Sequence, residues 1–524
     1  MLSLQFPMSR SVRLSKHFQS KRFQSKRFQP AASSSSLPWY GLGLAGIFGV
    51  SLALRLWGLG RFNTLVFDEV YYAKFAAAFL QGQQEFGGHP PLSTYLIAGG
   101  IWLSERLGWG GPETYNGLSG LYISTISYRW LNAVTGAVIP LVLGAIAHLL
   151  TGRKAIALLT TLLAACEGFL LVESRYALNN VYLILFGLLG WWCLLRSLHR
   201  LHSTSKLTPA VWLNLVLAGI GFGASVGIKW NGVAFLAGAY LLWMVAWGMQ
   251  RLQQRGLPSL PFAAPLSSLS RLNVGVWALS MAGIPFLTYY LSWLPYIQLD
   301  PSTSFAGWQN RILDYHSRVG GMDVHPYCSP WYTWPLMLRP VAYFYKTAAP
   351  GDPVPVVGPD APTAAGDVIY DVHAMGTPTL WWLSTLAVAL LAGAVGYWLW
   401  HWGRSLWAAR SGQTEPLLLP PATQGYLSAA AFVVGNWAVQ WLMWMRVTRC
   451  TFLYHYMSAE LFAVLGLALV LDRWLRNAQS GSRWLAWGAI ALVLLGFIFW
   501  MPLFLGLPLS ADGLQLRRWL PSWI

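Results

Sequence analysis

The sequence predicts an all-α polytopic membrane protein, and three observations carry that reading. Of its 524 residues, 55% are hydrophobic and 10% are charged, whereas a soluble domain carries roughly a quarter charged residues. The mean hydropathy is +0.46. The 31 Trp and 23 Tyr suit the aromatic belts at the edges of a bilayer. The length is ample for one large domain buried in lipid.

A net charge of +17 raises the question of nucleic-acid binding. The basic residues gather in the N-terminal tail and in alternate short loops, and no basic stripe with a nucleic-acid motif is present, which argues against that class. Residues 1–37 read as a basic, disordered cytoplasmic tail. It holds a short repeat, Phe18 to Arg22 and then Phe23 to Arg27, and a linker from Ser33 to Ser36. Seven Lys or Arg and no acid precede Pro30, so the tail is drawn to anionic headgroups. A cleaved signal peptide is not expected, because the next apolar run is long enough to span and lacks a clear cleavage site.

About eleven apolar runs of roughly 18 to 23 residues follow. They lie near 38–56, 128–150, 155–173, 179–196, 210–228, 232–249, 275–295, 378–400, 424–444, 452–472 and 483–505. One side of the membrane receives the tail, Arg153-Lys154, Arg196 to Lys206, Arg251 to Arg271, Arg404 to Arg410 and Arg473 to Arg483, with only Glu415 and Asp472 among the acids. The positive-inside rule makes that side cytoplasmic. The other side receives Asp68, Glu69, Glu85, Glu105, Glu113, Glu173 and the acids between Asp300 and Asp371. An odd number of spans puts the C-terminus outside. The chain then divides into the tail 1–37, a membrane domain 38–505 and a short outer tail 506–524.

Two outer loops are long, about 57–127 and 296–377, and loops of this length are usually functional. The first holds two candidate helices that need not span, Asp68–Gln81 and Pro91–Leu107, with Pro90 and Pro91 marking the boundary between them. The second is rich in Pro and Gly, contains His325-Pro-Tyr-Cys-Ser-Pro-Trp331, and carries a low-complexity stretch from Ala348 to Asp367. Cys328 and Cys450 both fall outside, where a disulfide is open to them, although spacing alone does not establish it. Cys166 and Cys193 sit in apolar runs as packing residues.

Asp68 and Glu69 follow the first span directly. A lone Asp-Glu pair is more often a solvated, helix-capping loop than a site. Here several ionisable residues share the same mouth: Arg129, Glu173, Arg175, Lys229, Arg446, Arg449 and His455. Any one of them would pass for a snorkelling interfacial residue. Together they set cations beside a carboxylate pair, which suits a lipid phosphate whose tail stays in the bilayer. One carboxylate would then take a proton from an incoming hydroxyl as the phosphate leaves.

These residues resemble the protein O-mannosyltransferases, a family of the GT-C glycosyltransferase fold that uses dolichyl- or polyprenyl-phosphate-mannose. The matching segments are Phe67-Asp-Glu-Val70, His89-Pro-Pro-Leu92, Tyr128-Arg-Trp130, Glu173-Ser-Arg-Tyr-Ala-Leu178, Gly227-Ile-Lys-Trp-Asn-Gly232, His325-Pro-Tyr327 with Ser329-Pro-Trp331, Arg339-Pro340 and Phe452-Leu-Tyr-His455. The resemblance implies that Asp68 is the catalytic base toward a Ser or Thr hydroxyl of a secreted or membrane protein emerging from translocation. It further implies that Glu69 positions donor or acceptor and that transfer is inverting in a single displacement. Arg129, Arg175 and Lys229 are its candidates for the donor phosphate, and His89, His325, Tyr327, Arg339 and His455 for the rest of the substrate pocket. It places the protein in the plasma membrane, in contact with membrane lipids, with the site on the outer face. No cofactor is implied; a divalent ion is not favoured, since hard cations need more oxygen ligands than one acid pair offers.

Two departures stand out. The family usually has Asp where Asn180 aligns. The second outer loop is also too short for the β-trefoil domain that eukaryotic members insert there, so the chain looks like the bacterial type. Two other readings remain: a GT-C enzyme acting on lipid A or a cell-wall glycan, and a transporter. A transporter would place its charges near the midplane, often with internal repeats, and neither feature is seen.

Overall fold

The computed structural model describes residues 38–348, 368–411 and 419–524. The tail 1–37, Glu415 and all of the low-complexity stretch beyond Ala348 lie outside the described residues.

Among the described residues, nine helices are long and apolar enough to cross a membrane: Trp39–Leu56, Thr125–Thr151, Asn180–Thr204, Pro209–Ile228, Trp230–Gln254, Val274–Leu299, Pro378–Arg410, Leu453–Arg476 and Ser480–Leu505. Two of the eleven expected runs fall outside this set. The run 424–444 forms the helix Pro421–Leu442, which has spanning length but is less apolar because Ser428, Asn436 and Gln440 lie buried on it. The run 155–173 is broken into Lys154–Ala165 and Gly168–Glu173. Glu167 makes the break: its carboxylate accepts from the backbone N–H of Phe169 (3.1 Å) and Leu170 (2.5 Å) and so starts a new helix.

The helix Leu453–Arg476 runs through the centre, and every residue from Met457 to Asp472 is buried. Asn180–Thr204 packs along Pro209–Ile228 and Thr125–Thr151. Small residues let these helices approach: a Cβ on Gly221 would stand 2.8 Å from the Gly190 nitrogen, so the two backbones touch. Outward apolar side chains such as Trp484, Leu495 and Ile498 stay exposed, as lipid-facing residues must.

Both expected helices of the first outer loop are present, as Glu69–Leu80 and Leu92–Leu107. The second loop departs from the all-α expectation. After the helix Phe305–Arg318 it forms the strands Val341–Ala348 and Val368–Ala374, which pair antiparallel, and Pro508–Leu509 adds a third strand. β-branched and aromatic residues dominate the two long strands, as in Val341-Ala-Tyr-Phe-Tyr345 and Val368-Ile-Tyr370. The C-terminal segment is accordingly docked: the Trp523 indole donates to Met337 O and Arg518 pairs with the buried Asp371. The two loops meet in a hydrophobic cluster of Trp293, Tyr296, Trp308 and Ile312, against which Phe79 and Phe86 pack. Cys328 and Cys450 form a disulfide, with Cα atoms 5.2 Å apart.

Candidate active site

The first outer loop enters its helix through an unusual turn. Phe67 has φ 51°, a left-handed conformation that is uncommon for any residue but glycine. Its ring stacks on that of Tyr343 from the first strand, with centroids 4.0 Å apart and 8° between planes. The turn delivers Asp68 to the N-cap position of Glu69–Leu80, yet the carboxylate caps nothing there. It opens instead into a cavity of about 440 Å³ shared with Tyr72, His89, Lys229, His316, Arg449, Tyr454 and His455. Burial pushes the Asp68 carboxyl up to about 6, and nearby Lys229 opposes that rise.

Glu69 points the other way. It is fully buried. Its Oε1 accepts from Arg129 Nε and from the Ala177 N–H, both at 2.8 Å, and its Oε2 from Arg129 Nη2 (2.7 Å) and the Val66 N–H (2.8 Å). Arg129 donates its remaining N–H groups to the carbonyls of Leu59, Phe62 and Thr64. A guanidinium has five N–H donors, and all five are committed inside the protein. The expectation that Arg129 holds a phosphate and Glu69 a substrate therefore does not fit. The pair locks the loop to the second span, and breaking it would cost about 3–5 kcal/mol. Arg175 is corrected for a related reason, since it is buried and turned toward backbone carbonyls. Its Nη1 donates to the carbonyls of Leu54, Arg55 and Trp57 and its Nη2 to that of Gly58, so it caps the C-terminal end of the first span.

Lys229 does face the cavity. It sits on extended backbone between two helices. Its Nζ donates to Asn180 Oδ1 at 3.2 Å and lies 5.0 Å from the Tyr454 ring centre. Burial lowers its affinity for the proton, and Asp68 and Glu173 offset only part of that fall. His89, His325 and His455 also line the cavity. The His89 and His316 rings stand 5.4 Å apart; burial, then nearby cations, hold both imidazoles below their usual range, His316 at about 4. Tyr327 and Arg339 are not among the lining residues. Arg339 instead ties Pro326 O to Ser522 O and lies over the Tyr327 ring, which shapes the His325 turn from behind.

The sequence groups Arg449 and Glu173 with the charged residues of the mouth but assigns neither a role of its own, and it does not single out Tyr343. Arg449 lines the cavity, anchored by an Nη1 bond of 2.9 Å to Cys450 O. Its place next to a cysteine that ties two outer segments together was the available signal. Tyr343 and Glu173 come together through the sheet, whose pairing no local pattern announces: the Tyr343 hydroxyl donates to Glu173 Oε1. Among the described residues, no group of three or more His, Cys, Asp or Glu side chains is placed to hold a metal ion.

A bundle of membrane helices with carboxylate and cations gathered at one end, under two interlocked loops, is the layout of a membrane glycosyltransferase of the GT-C fold. The fold is similar to that of a Saccharomyces cerevisiae protein O-mannosyltransferase Pmt1-Pmt2 complex bound to the sugar donor, with a TM-score of 0.71 and 14% identity over 94% of this chain and 93% of that one. An Archaeoglobus fulgidus oligosaccharyltransferase is similar at a TM-score of 0.50 and 12% identity, over 92% of this chain and 58% of that one. The profile described as dolichyl-phosphate-mannose-protein mannosyltransferase matches residues 46–291, and that of the C-terminal four-span region of protein-O-mannosyltransferase matches residues 301–523. The chain belongs to the protein O-mannosyltransferase family. The polyprenol-phosphate-mannose–protein mannosyltransferase of Mycolicibacterium smegmatis is 25% identical over 88% of each chain, and that of Corynebacterium glutamicum 24% over 83% of this chain and 81% of its own.

Proposed function

We propose that the chain transfers mannose from polyprenyl-phosphate-mannose to Ser or Thr hydroxyls of secreted or membrane proteins, at the outer face of the plasma membrane. The observation that carries the reading is the Asp68 carboxylate, uncapped and open to a cavity that also holds Lys229 and Arg449. In this mechanism the acceptor hydroxyl attacks the anomeric carbon from the side opposite the phosphate. Asp68 takes the hydroxyl proton, the bond from the anomeric carbon to the phosphate oxygen breaks, and the polyprenyl phosphate leaves with the electron pair. Lys229 and Arg449 stabilise the charge that grows on the phosphate. One displacement inverts the sugar, and no glycosyl-enzyme forms. Side-chain cations supply the positive charge, so the reading needs no divalent ion.

The test is transfer of labelled mannose from polyprenyl-phosphate-mannose to a Ser/Thr-rich peptide by purified protein in detergent. Transfer by the wild type and a loss of at least about a hundredfold in Asp68→Asn are expected for a general base. Transfer that survives the substitution removes Asp68 from that role. Label found on a glycan or lipid rather than the peptide overturns the protein acceptor.

A further inference from the structure

Glu173 is a buried carboxylate that the mechanism above leaves without a task. Two neighbours bond to it, and one of them reaches on to Lys229. The Tyr343 hydroxyl donates to Oε1. The Asn180 Nδ2 lies 3.2 Å from both carboxylate oxygens. The other end of the same amide, Oδ1, accepts from Lys229 Nζ at 3.2 Å. An amide is a neutral group that donates to an acid and accepts from an ammonium at once, so carboxylate, amide and ammonium form one fixed line ending at the cavity wall.

A buried ammonium needs a counter-charge or it gives up its proton. Lys229 is 6% exposed, and two carboxylates stand near enough to serve it, Asp68 and Glu173. The other titratable groups lining the same cavity are Arg449, the tyrosines Tyr71, Tyr72, Tyr315 and Tyr454, and the histidines His89, His316, His325 and His455, none of which supplies a negative charge at neutral pH. In the proposed reaction Asp68 is neutralised by a proton in every turnover, at the moment the leaving phosphate most needs a cation. Glu173 has no part in that proton transfer; burial raises its carboxyl, and the Tyr343 hydroxyl, Lys229 and the Asn180 amide pull it back down. A second path leaves Glu173 through Tyr343, whose ring lies on Phe67 in the turn that presents Asp68.

We propose that Glu173 is a positioning residue for transfer: through Asn180 it holds the Lys229 ammonium at the cavity wall, and through Tyr343 it fixes the turn that carries Asp68. This rests on the proposed transfer reaction. It also accounts for an amide at position 180, because the carboxylate stands at the other end of the hydrogen bond.

Two variants test it, Glu173→Gln and the exchange Glu173→Gln with Asn180→Asp, which moves the carboxylate along the line into direct contact with Lys229. Two readouts are needed: kcat, donor KM and acceptor KM across pH, and the pH dependence of Lys229 acylation by acetic anhydride, followed by peptide mass spectrometry, which requires no activity. For Glu173→Gln, kcat should fall about tenfold with little change in acceptor KM, and Lys229 should become reactive about one pH unit lower, because its counter-charge is gone. The exchange should bring both quantities back to within about threefold of wild type. An unchanged acylation curve in Glu173→Gln overturns the proposal, as does an exchange variant no better than the single one, since Glu173 would then only fill its site. If the wild type transfers no mannose, the functional proposal falls while the acylation curves still decide whether Glu173 holds Lys229.

Discussion

A carboxylate can act as a base only when ionised, and the surroundings of Asp68, the proposed base, resist that charge. Burial raises its carboxyl to about 6, so the fraction able to accept a proton climbs as pH rises through that value. The rate of transfer at low donor concentration should therefore increase about tenfold between pH 5 and pH 6.5 and flatten above pH 7. A pH series of initial rates measures this, and a flat profile down to pH 4.5 would contradict an enclosed Asp68. Residue types alone could not sort the charged set correctly. Arg129, Arg175 and Lys229 look alike in sequence, each a cation at the mouth of a span. They differ in what surrounds them: five protein acceptors for Arg129, four helix-end carbonyls for Arg175, a single amide for Lys229. The two arginines are structural ties because the guanidinium fork can satisfy several carbonyls at once. That outcome depends on which carbonyls the fold leaves exposed, which no spacing rule states.

At the scale of elements, the site is assembled from segments far apart in the chain, and the Cys328–Cys450 disulfide joins two of them across 122 residues of sequence. Beside it, Ser329 N–H donates to Thr451 O at 2.7 Å and the Thr451 hydroxyl returns a bond to Ser329 O at 2.9 Å. The bridge thus fixes the second outer loop against the segment that carries Arg449, Tyr454 and His455. Replacing both cysteines by serine should leave the membrane helices folded and lower stability by about 2–5 kcal/mol. Donor KM should rise at least about fivefold, because Arg449 loses its fixed neighbour. Thermal unfolding in detergent and donor titrations check both; unchanged donor KM would show that the bridge does not set the site. The spans and the two outer-loop helices were legible in the sequence because apolar runs and proline boundaries are local signals. The break at Glu167 was hidden, since one carboxylate within an apolar run caps a helix only if it can reach the following N–H groups. The small sheet was hidden too, because its strands are contributed by the second outer loop and the C-terminal segment.

Across the whole molecule, charge is divided between the two ends, and the division bears on how the reaction can run. Asp68, Lys229 and Arg449 gather at one end, while Arg153, Asp472, Arg476, His199 and His202 line a separate cavity of about 450 Å³ among helix ends at the other. Basic helix ends favour the cytoplasmic side by roughly 1 kcal/mol for each Lys or Arg near an anionic surface. In the proposed orientation, with the loops Arg196 to Lys206 and Arg251 to Arg271 inside, the acid-rich loops and their cavity would face outward. The polyprenyl phosphate would then leave as an anion anchored in the outer leaflet and the acceptor would arrive from the aqueous side, so the two products would separate into different phases. Cysteine labelling tests this orientation directly. Cys166 and Cys193 are buried and the other two cysteines are paired, so the background for a membrane-impermeant maleimide should be low. Ser317→Cys, at an exposed position on the helix Phe305–Arg318, should label in intact cells. Ser203→Cys, exposed at the end of Asn180–Thr204, should label only after the membrane is opened. The reverse pattern would place Asp68 on the cytoplasmic side, where a protein awaiting export has not yet crossed, and would overturn the outer-face reading while leaving the fold intact.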